Sequence, residues 1–269
     1  MREIQLGLIG AGNMGEAIVR GILGAGVLQA DEILAADPDA NRRKRFEDDL
    51  GIRTFVESGP VAERAPVVLL AVKPQMFDKA FVPVASLLGP DSLLISICAG
   101  ISTRHIEALT PTGTRVIRAM PNTPMVVGRG IAAIAAGSKA TPKDIETAER
   151  LLGAAAEIIR VPETLIDAVT AVSGSGPAYF FYLAELLAEA AIEVGLAEED
   201  AKQLARVTFE GAARLLAESG EEPEALRAKV TSPGGTTEAA IRTFDALGFP
   251  KMVAEAVKAA RDRGRELGR

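Results

Sequence analysis

Two clusters in this chain have residue types and spacing suited to chemistry. The first, Gly10-Ala11-Gly12-Asn13-Met14-Gly15, directly follows the apolar run Ile4–Ile9 and opens a helical pattern with small or apolar residues at Met14, Ile18, Gly21 and Ile22. Between a strand and a helix, a G-x-G-x-x-G spacing is the fingerprint of a dinucleotide site. Gly10 permits the tight turn, Gly12 lets the backbone approach a pyrophosphate, and Gly15 lets the helix lie close to the strand. Free N–H groups where the helix begins, at Asn13 and Met14, attract the phosphate charge. The second cluster is Thr231-Ser232-Pro233-Gly234-Gly235-Thr236-Thr237-Glu238. Gly234 and Gly235 just before a helix leave several backbone N–H groups pointing at one spot, a carboxylate site by the same logic, with Thr237 beside it. The plainer reading is a helix start with Thr236 as cap and Gly-Gly as a turn.

Further residues fall at places where such a site needs them. Asp37 closes the run Ile33–Ala36, roughly 20 residues beyond the glycine motif, where an acidic side chain bonds adenosine ribose hydroxyls and disfavours a 2′-phosphate. Arg42, Arg43 and Lys44 could instead hold that phosphate, so NADH and NADPH both stay open. Alternatively, Asp37-Pro38-Asp39 only caps the next helix. Ala71-Val72-Lys73-Pro74 follows one apolar run, Val67–Ala71, and Cys98-Ala99-Gly100 follows another, Leu93–Ile97. Both lie at carboxyl ends of strands, where ligands bind in open α/β sheets, and both should line the nicotinamide side. Lys73 could equally be an ordinary exposed lysine. Cys98 reads as a small buried hydrophobe, since nothing near it in sequence would lower its pKa.

Carbonyl reduction develops an alkoxide and usually calls on a His, Lys or Tyr acid. The one histidine, His105, lies in STRHIEAL, a short amphipathic helix with Ser102 or Thr103 as cap. Reduction of a C=N bond is less demanding. An imine nitrogen is basic enough to arrive protonated, and a hydroxyl that hydrogen-bonds it suffices.

The elements that must position these residues are legible as well. Short apolar runs, Ile4–Ile9, Ile33–Ala36, Val67–Ala71, Leu93–Ile97, Val116–Ala119, Ile131–Ala135 and Ile158–Val161, alternate with helical patterns and predict a mainly parallel sheet covered on both faces. From Pro162 on, strand signals stop and Ala, Leu and Glu predominate. The expected fold is α/β, with a Rossmann-type dinucleotide-binding domain over residues 1–161 and an all-helical substrate and dimerisation domain over residues 162–269. The stretch Ala178–Val194 is apolar nearly all round, which predicts a subunit interface. The Arg-rich end, RDRGRELGR, reads as a solvated face or frayed tail.

With 269 residues and 48% hydrophobic content, the chain can form a substantial core. A net charge of −6 gives no attraction to nucleic acid or an anionic membrane surface. One cysteine and one histidine leave no intrachain disulfide and no His/Cys metal cluster, as suits a reducing cytoplasm. The start, MREIQLGLIG, carries charge at Arg2 and Glu3 and runs straight into the glycine motif, unlike a signal peptide. The longest uncharged stretch, Ala168–Ala184, is interrupted by Ser173-Gly174-Ser175-Gly176-Pro177, so no membrane span is expected.

With the two clusters above joined in order by Ala71-Val72-Lys73-Pro74, Arg118-Ala119-Met120-Pro121-Asn122-Thr123-Pro124 and Ser173-Gly174-Ser175-Gly176-Pro177-Ala178-Tyr179, the chain resembles the pyrroline-5-carboxylate reductases from end to end. The resemblance implies reduction of Δ1-pyrroline-5-carboxylate to L-proline with NADPH or NADH, the last step of proline synthesis. It implies a homodimer built on interlocked helical domains, often assembled further into a decamer, with a substrate site that mixes two subunits. It puts the substrate carboxylate on Ser232 and the N–H groups of Gly235 and Thr236, and the Thr237 hydroxyl on the ring nitrogen. Ser58 stands where that family commonly has an asparagine near the adenosine end, and Asp37 where a small polar residue often accompanies NADPH preference; both bear on coenzyme choice. Two rivals stay open: a reductase of a related cyclic imino acid, and a non-catalytic dinucleotide-binding sensor. A β-hydroxyacid dehydrogenase does not fit, because Phe180 and Ala184 stand where its proton-handling lysine and asparagine would be.

Overall fold

The computed structural model describes residues 3–267. The charge at Arg2 and the outermost ends of the two expected domains lie outside the described residues. Eight strands form one sheet: β1 (Leu6–Ile9), β2 (Ile33–Ala36), β3 (Arg53–Phe55), β4 (Val67–Leu70), β5 (Leu93–Ser96), β6 (Arg115–Pro121), β7 (Gly130–Ala136) and β8 (Ala156–Arg160). Their order is β3-β2-β1-β4-β5-β6-β7-β8. Pairing is parallel throughout, except for antiparallel β6 against β7.

Helices cover both faces, so the central strands are continuous apolar runs rather than alternating ones, as a doubly covered parallel sheet requires. Successive residues enter opposite cores. Leu6 and Leu8, Ile33 and Ala35, and Leu93 and Ile95 belong to one apolar cluster; Ile9, Leu34, Ala36 and Leu94 belong to the other. β3 is absent from the strands the pattern predicts, because three residues at the sheet edge, beginning with an exposed arginine, bury too little to leave an apolar run. The other differences are end shifts of one or two residues.

The described chain divides into two compact units. One holds the sheet and runs to Ser175, with the residues from Ala260 onward added to it; the other is Gly176–Ala259. The second unit is entirely helical: Gly176–Glu193, Glu198–Ser219, Pro223–Lys229, Thr236–Ala246 and most of Phe249–Leu267. Its first two helices pack together, with the rings of Phe180 and Phe209 5.7 Å apart. Within this unit only Gly176, Ala201 and Ala205 are buried. Phe181 is 70% exposed, and Phe180, Tyr182, Leu187 and Ile192 are exposed too. So wide an apolar surface cannot stay in water and marks a face that another chain covers. This is the surface expected from Ala178–Val194.

Candidate functional site

The strand order reverses between β1 and β4, and the residues expected to hold a dinucleotide gather at the carboxyl ends flanking that point. Gly10 follows β1 with φ +97°, and a Cβ there would lie 2.6 Å from the Ala71 carbonyl oxygen and 2.9 Å from a Val72 methyl. The glycine loop and the Ala71-Val72 turn therefore touch only because position 10 has no side chain. A Cβ on Gly15 would lie 2.7 Å from the Gly10 oxygen, so the helix Asn13–Gly24 can start this close to the end of β1 only with glycine there. At Gly12 the nearest atom to such a Cβ is Arg42 Nη1 at 3.9 Å, so the backbone there lies open. Gly12 is the N-cap residue and no side chain caps the helix, leaving its first-turn N–H groups for an anion. This open cradle fits a dinucleotide pyrophosphate.

Asp37 is 4% exposed, and its carboxylate is engaged by the protein itself. Oδ2 accepts from the Ala11 N–H at 2.9 Å and lies 3.4 Å from Arg42 Nη1, while Oδ1 accepts from the Asp39 N–H at 2.9 Å. The capping function belongs to Asp39, which accepts from the amides of Asn41 and Arg42 at the start of the helix Ala40–Leu50. The two readings of Asp37-Pro38-Asp39 thus separate onto two residues: Asp39 caps, and Asp37 latches the glycine loop. Arg43 donates to the carbonyls of Asp37 and Pro38, and Arg45 reaches Glu16 on the glycine helix at 2.8 Å. These contacts hold the arginine-bearing helix over the loop, and Arg42 is the cation nearest Gly12. Ser58, half-buried, caps the helix Gly59–Arg64 through its carbonyl and makes no side-chain cap bond.

Lys73 is exposed and precedes a short turn begun by Pro74. Cys98 is 1% exposed; its thiol donates to the Val72 carbonyl at 3.3 Å, and burial pushes its pKa above the ordinary thiol value. It ties the end of β5 to the turn after β4 and is no nucleophile. Ala99 and Gly100 beside it are half-buried. Ser102 caps the helix Thr103–Leu109, and His105 on that helix is exposed against the Phe77 ring at 5.6 Å. The Thr103 hydroxyl bonds Glu163 at 2.6 Å instead. Glu163 also lies 3.4 Å from Arg118, which is buried, so that part of the RAMPNTP segment is structural. The Asn122 side-chain oxygen accepts from the Ile131 N–H at 2.9 Å, tying the end of β6 to the start of β7.

In the helical unit, the SPGGTT turn divides its work between its glycines. Gly234 has φ +72°, the left-handed region that favours glycine. A Cβ on Gly235 would lie 2.6 Å from Ser232 Oγ and 3.0 Å from Ser232 O, so the serine hydroxyl sits directly over a bare backbone. The Gly235 amide, which the family resemblance assigns to the carboxylate, closes the turn onto Ser232 O at 3.0 Å. The helix begins at Thr236 with Gly235 as its N-cap, not Thr236, and carries no side-chain cap. Among the described residues, the amides of Thr236, Thr237 and Glu238 and the Thr237 hydroxyl have no acceptor or donor partner. Glu238 instead reaches back: Oε2 accepts from the Gly234 N–H at 2.7 Å. In an ordinary capping box the third helical residue takes the N-cap amide and an N-cap hydroxyl accepts from it in return, whereas Glu238 takes the amide one residue before the N-cap. With glycine as the N-cap no hydroxyl accepts from the first-turn amides, and the helix start is left half-capped. A glutamate at the third helical position was the available signal for this arrangement.

Among the described residues no group of His, Cys, Asp or Glu is placed to hold a metal ion, and no helix is long and apolar enough to cross a membrane.

Comparison with known proteins agrees with this geometry at both ends. The profile of a family described as "Pyrroline-5-carboxylate reductase dimerisation" matches residues 163–267, and that of a family described as "NADP oxidoreductase coenzyme F420-dependent" matches residues 5–100. The pyrroline-5-carboxylate reductase of Synechocystis sp. is 41% identical over 269 residues, 99% of each chain. That of Pseudomonas aeruginosa is 40% identical, covering 99% of this chain and 98% of its own. Among solved structures, a pyrroline-5-carboxylate reductase from Coxiella burnetii superposes with a TM-score of 0.91 at 34% identity, covering 100% of both chains. A pyrroline carboxylate reductase from Plasmodium falciparum, solved with NADP bound, has a TM-score of 0.86 at 26% identity, again over 100% of both chains.

Proposed function

The chain belongs to the pyrroline-5-carboxylate reductase family, and from that premise we propose how its own residues carry the reaction. The reaction is NAD(P)H-dependent reduction of the C=N bond of Δ1-pyrroline-5-carboxylate to L-proline, the last step of proline biosynthesis. The observation that carries the assignment of roles is the half-built cap: three helix N-terminal amides without an acceptor beside the half-buried Thr237 hydroxyl. The substrate carboxylate supplies the missing acceptor. It takes the amides of Thr236 and Thr237, with the Ser232 hydroxyl, while Gly234 and Gly235 shape the turn that leaves room for it.

The Thr237 hydroxyl oxygen accepts a hydrogen bond from the N–H of the protonated imine and orients the C=N bond. No strong acid is required, because the protonated imine becomes a neutral amine as its carbon is reduced. Thr237 contributes by positioning and by stabilising charge at one atom.

Gly10, Gly12, Asn13, Met14 and Gly15 hold the coenzyme pyrophosphate, Asp37 and Ser58 flank the adenosine end, and Ala71-Val72-Lys73-Pro74 with Cys98-Ala99-Gly100 line the nicotinamide side. When bound, the reduced nicotinamide supplies the hydride. Residues 1–161 serve the coenzyme, and residues 162–269 serve the substrate and assembly. The chain homo-oligomerises, and we assign the exposed apolar helices to a dimer that assembles further into a decamer. The single buried cysteine supports a cytoplasmic location, and the acidic net charge supports small-molecule rather than nucleic-acid partners.

The test is product analysis. Incubation with pyrroline-5-carboxylate and reduced coenzyme should yield proline in one-to-one proportion to coenzyme oxidised. Tight coenzyme binding without oxidation by any cyclic imine would favour a sensor instead.

A further inference from the structure

Glu238 lies outside every role assigned above, yet it is the side chain most closely tied to the carboxylate turn. Its Oε2 accepts from the Gly234 amide at 2.7 Å, and Arg242, one helical turn on, donates to Oε1 at 3.0 Å. Glu238 is partly buried, 28% exposed at its side chain, whereas Arg242 is 76% exposed. Gly234 is the one residue of the turn in the left-handed region, and apart from Glu238 nothing among the described residues accepts its N–H. Without that acceptor, the peptide joining Pro233 to Gly234 loses one of the two contacts that set the turn, the other being the Gly235 amide on Ser232 O at 3.0 Å. The turn is then held by the Ser232–Gly235 contact alone, and Ser232, whose hydroxyl lies over Gly235, and the helix amides that follow are placed less firmly.

We propose that Glu238 is a positioning residue for the reaction: by holding the Gly234 amide it fixes the turn so that Ser232, Thr236 and Thr237 converge on the substrate carboxylate. The inference rests on the reading of that turn as the imino-acid site. Glu238 takes the N–H that would otherwise be a fourth donor, so the site presents fewer donors in a defined geometry. Its negative charge is balanced by Arg242 and by the positive end of the helix, where an acidic side chain is stabilised. The contact with Gly234 needs an acceptor oxygen, not a charge, so glutamine can make it and alanine cannot.

The test compares Glu238→Ala and Glu238→Gln in the intact oligomer, with Thr237→Ala as reference. Steady-state kinetics with pyrroline-5-carboxylate are measured alongside coenzyme affinity by fluorescence and folding by circular dichroism. Losing one charge-assisted hydrogen bond that orders a binding turn predicts a KM for the imino acid raised roughly 10-fold or more in Glu238→Ala, with kcat lowered less than about threefold. Coenzyme affinity and helical content stay unchanged, and Glu238→Gln restores most of the KM. Unchanged KM in Glu238→Ala while Thr237→Ala is impaired overturns this inference and leaves the site reading intact. Glutamine as poor as alanine also overturns it, since charge rather than the Gly234 contact would then be acting. If Thr237→Ala is as active as the parent, the site reading itself fails. If Glu238→Ala does not fold, Arg242→Ala and Glu238→Gln decide. The first removes the exposed arginine contact and should leave KM within about twofold of the parent, and a large rise there contradicts the proposal.

Discussion

Replacing Asp37 with serine separates the two things its carboxylate does. In the parent, one oxygen accepts from the Ala11 N–H and the other from the Asp39 N–H, each at 2.9 Å, with Asp37 4% and Ala11 2% exposed. A serine hydroxyl cannot span both donors, so one buried N–H is orphaned, and Ala11 is the more remote. An unsatisfied buried donor costs about 1–3 kcal/mol. At roughly 2–4 °C per kcal/mol for a chain of this size, the melting temperature should fall by about 2–12 °C. The coenzyme effect is independent of this. On the proposed placement of Asp37 at the adenosine end, removing its negative charge and releasing Arg42 from its 3.4 Å contact favours a 2′-phosphate by roughly 1–2 kcal/mol at surface-like dielectric, or about 5- to 30-fold. Thermal melts of the apo protein and kcat/KM for NADPH and NADH measure the two separately. An unchanged melting temperature would refute the latch on the glycine loop. An unchanged NADPH to NADH ratio accompanying a lower melting temperature would leave Asp37 as a loop latch with no part in coenzyme choice.

The proposed role of the Thr237 hydroxyl at the reacting nitrogen predicts that Thr237→Ala lowers turnover by one to three orders of magnitude with NADH affinity nearly intact; full turnover removes Thr237 from the mechanism. Gly235→Ala places a methyl 2.6 Å from Ser232 Oγ and should raise the KM for the imino acid at least about tenfold without altering coenzyme affinity, as kinetics and fluorescence titration would show. Phe181→Glu charges a ring that is 70% exposed in the single chain and should shift sedimentation to smaller species, with activity lost in parallel; an unchanged sedimentation coefficient would place the interface elsewhere. Cys98 has its folded pKa raised by burial, so the unfolded thiol ionises first. The stability it contributes is present below pH 9.0, the ordinary thiol value, and is lost as pH rises through the folded value. Native protein at mildly alkaline pH should therefore react with a thiol reagent only as fast as it opens, and immediate reaction would contradict the burial.

What the sequence made legible follows from how strongly each feature is patterned. The central strands are buried on both faces, so their apolar runs stand out, and their carboxyl ends could be located to within a residue or two. β3 could not, since an edge strand of three residues needs no apolar run. The glycine motif was readable because Gly10 and Gly15 answer to close contacts that any strand-to-helix phosphate turn must make. Asp37 was ambiguous for a physical reason: two acidic residues precede one helix, and it is the path of the folded backbone that makes Asp39 the cap while Asp37 turns to Ala11. At the other site, the pair of glycines announced an open helix start. That the Gly235 amide folds inward and Glu238 captures the Gly234 amide depends on one turn's dihedral angles, which composition does not specify. The apolar helix Gly176–Glu193 announced a missing partner, because no helical unit of this size could bury it alone.

The central claim is that a cyclic imine is held by its carboxylate on the half-capped helix start at Thr236 and reduced beside Thr237. Its most direct test is the kcat/KM for pyrroline-5-carboxylate against that for 1-pyrroline, the same ring without the carboxylate, followed by reduced-coenzyme absorbance. Two or more hydrogen bonds from unpaired helix amides predict a preference for the carboxylate-bearing ring of about a hundredfold or more. Equal turnover of the two rings would show that the Ser-Pro-Gly-Gly turn holds no substrate carboxylate and would contradict the account.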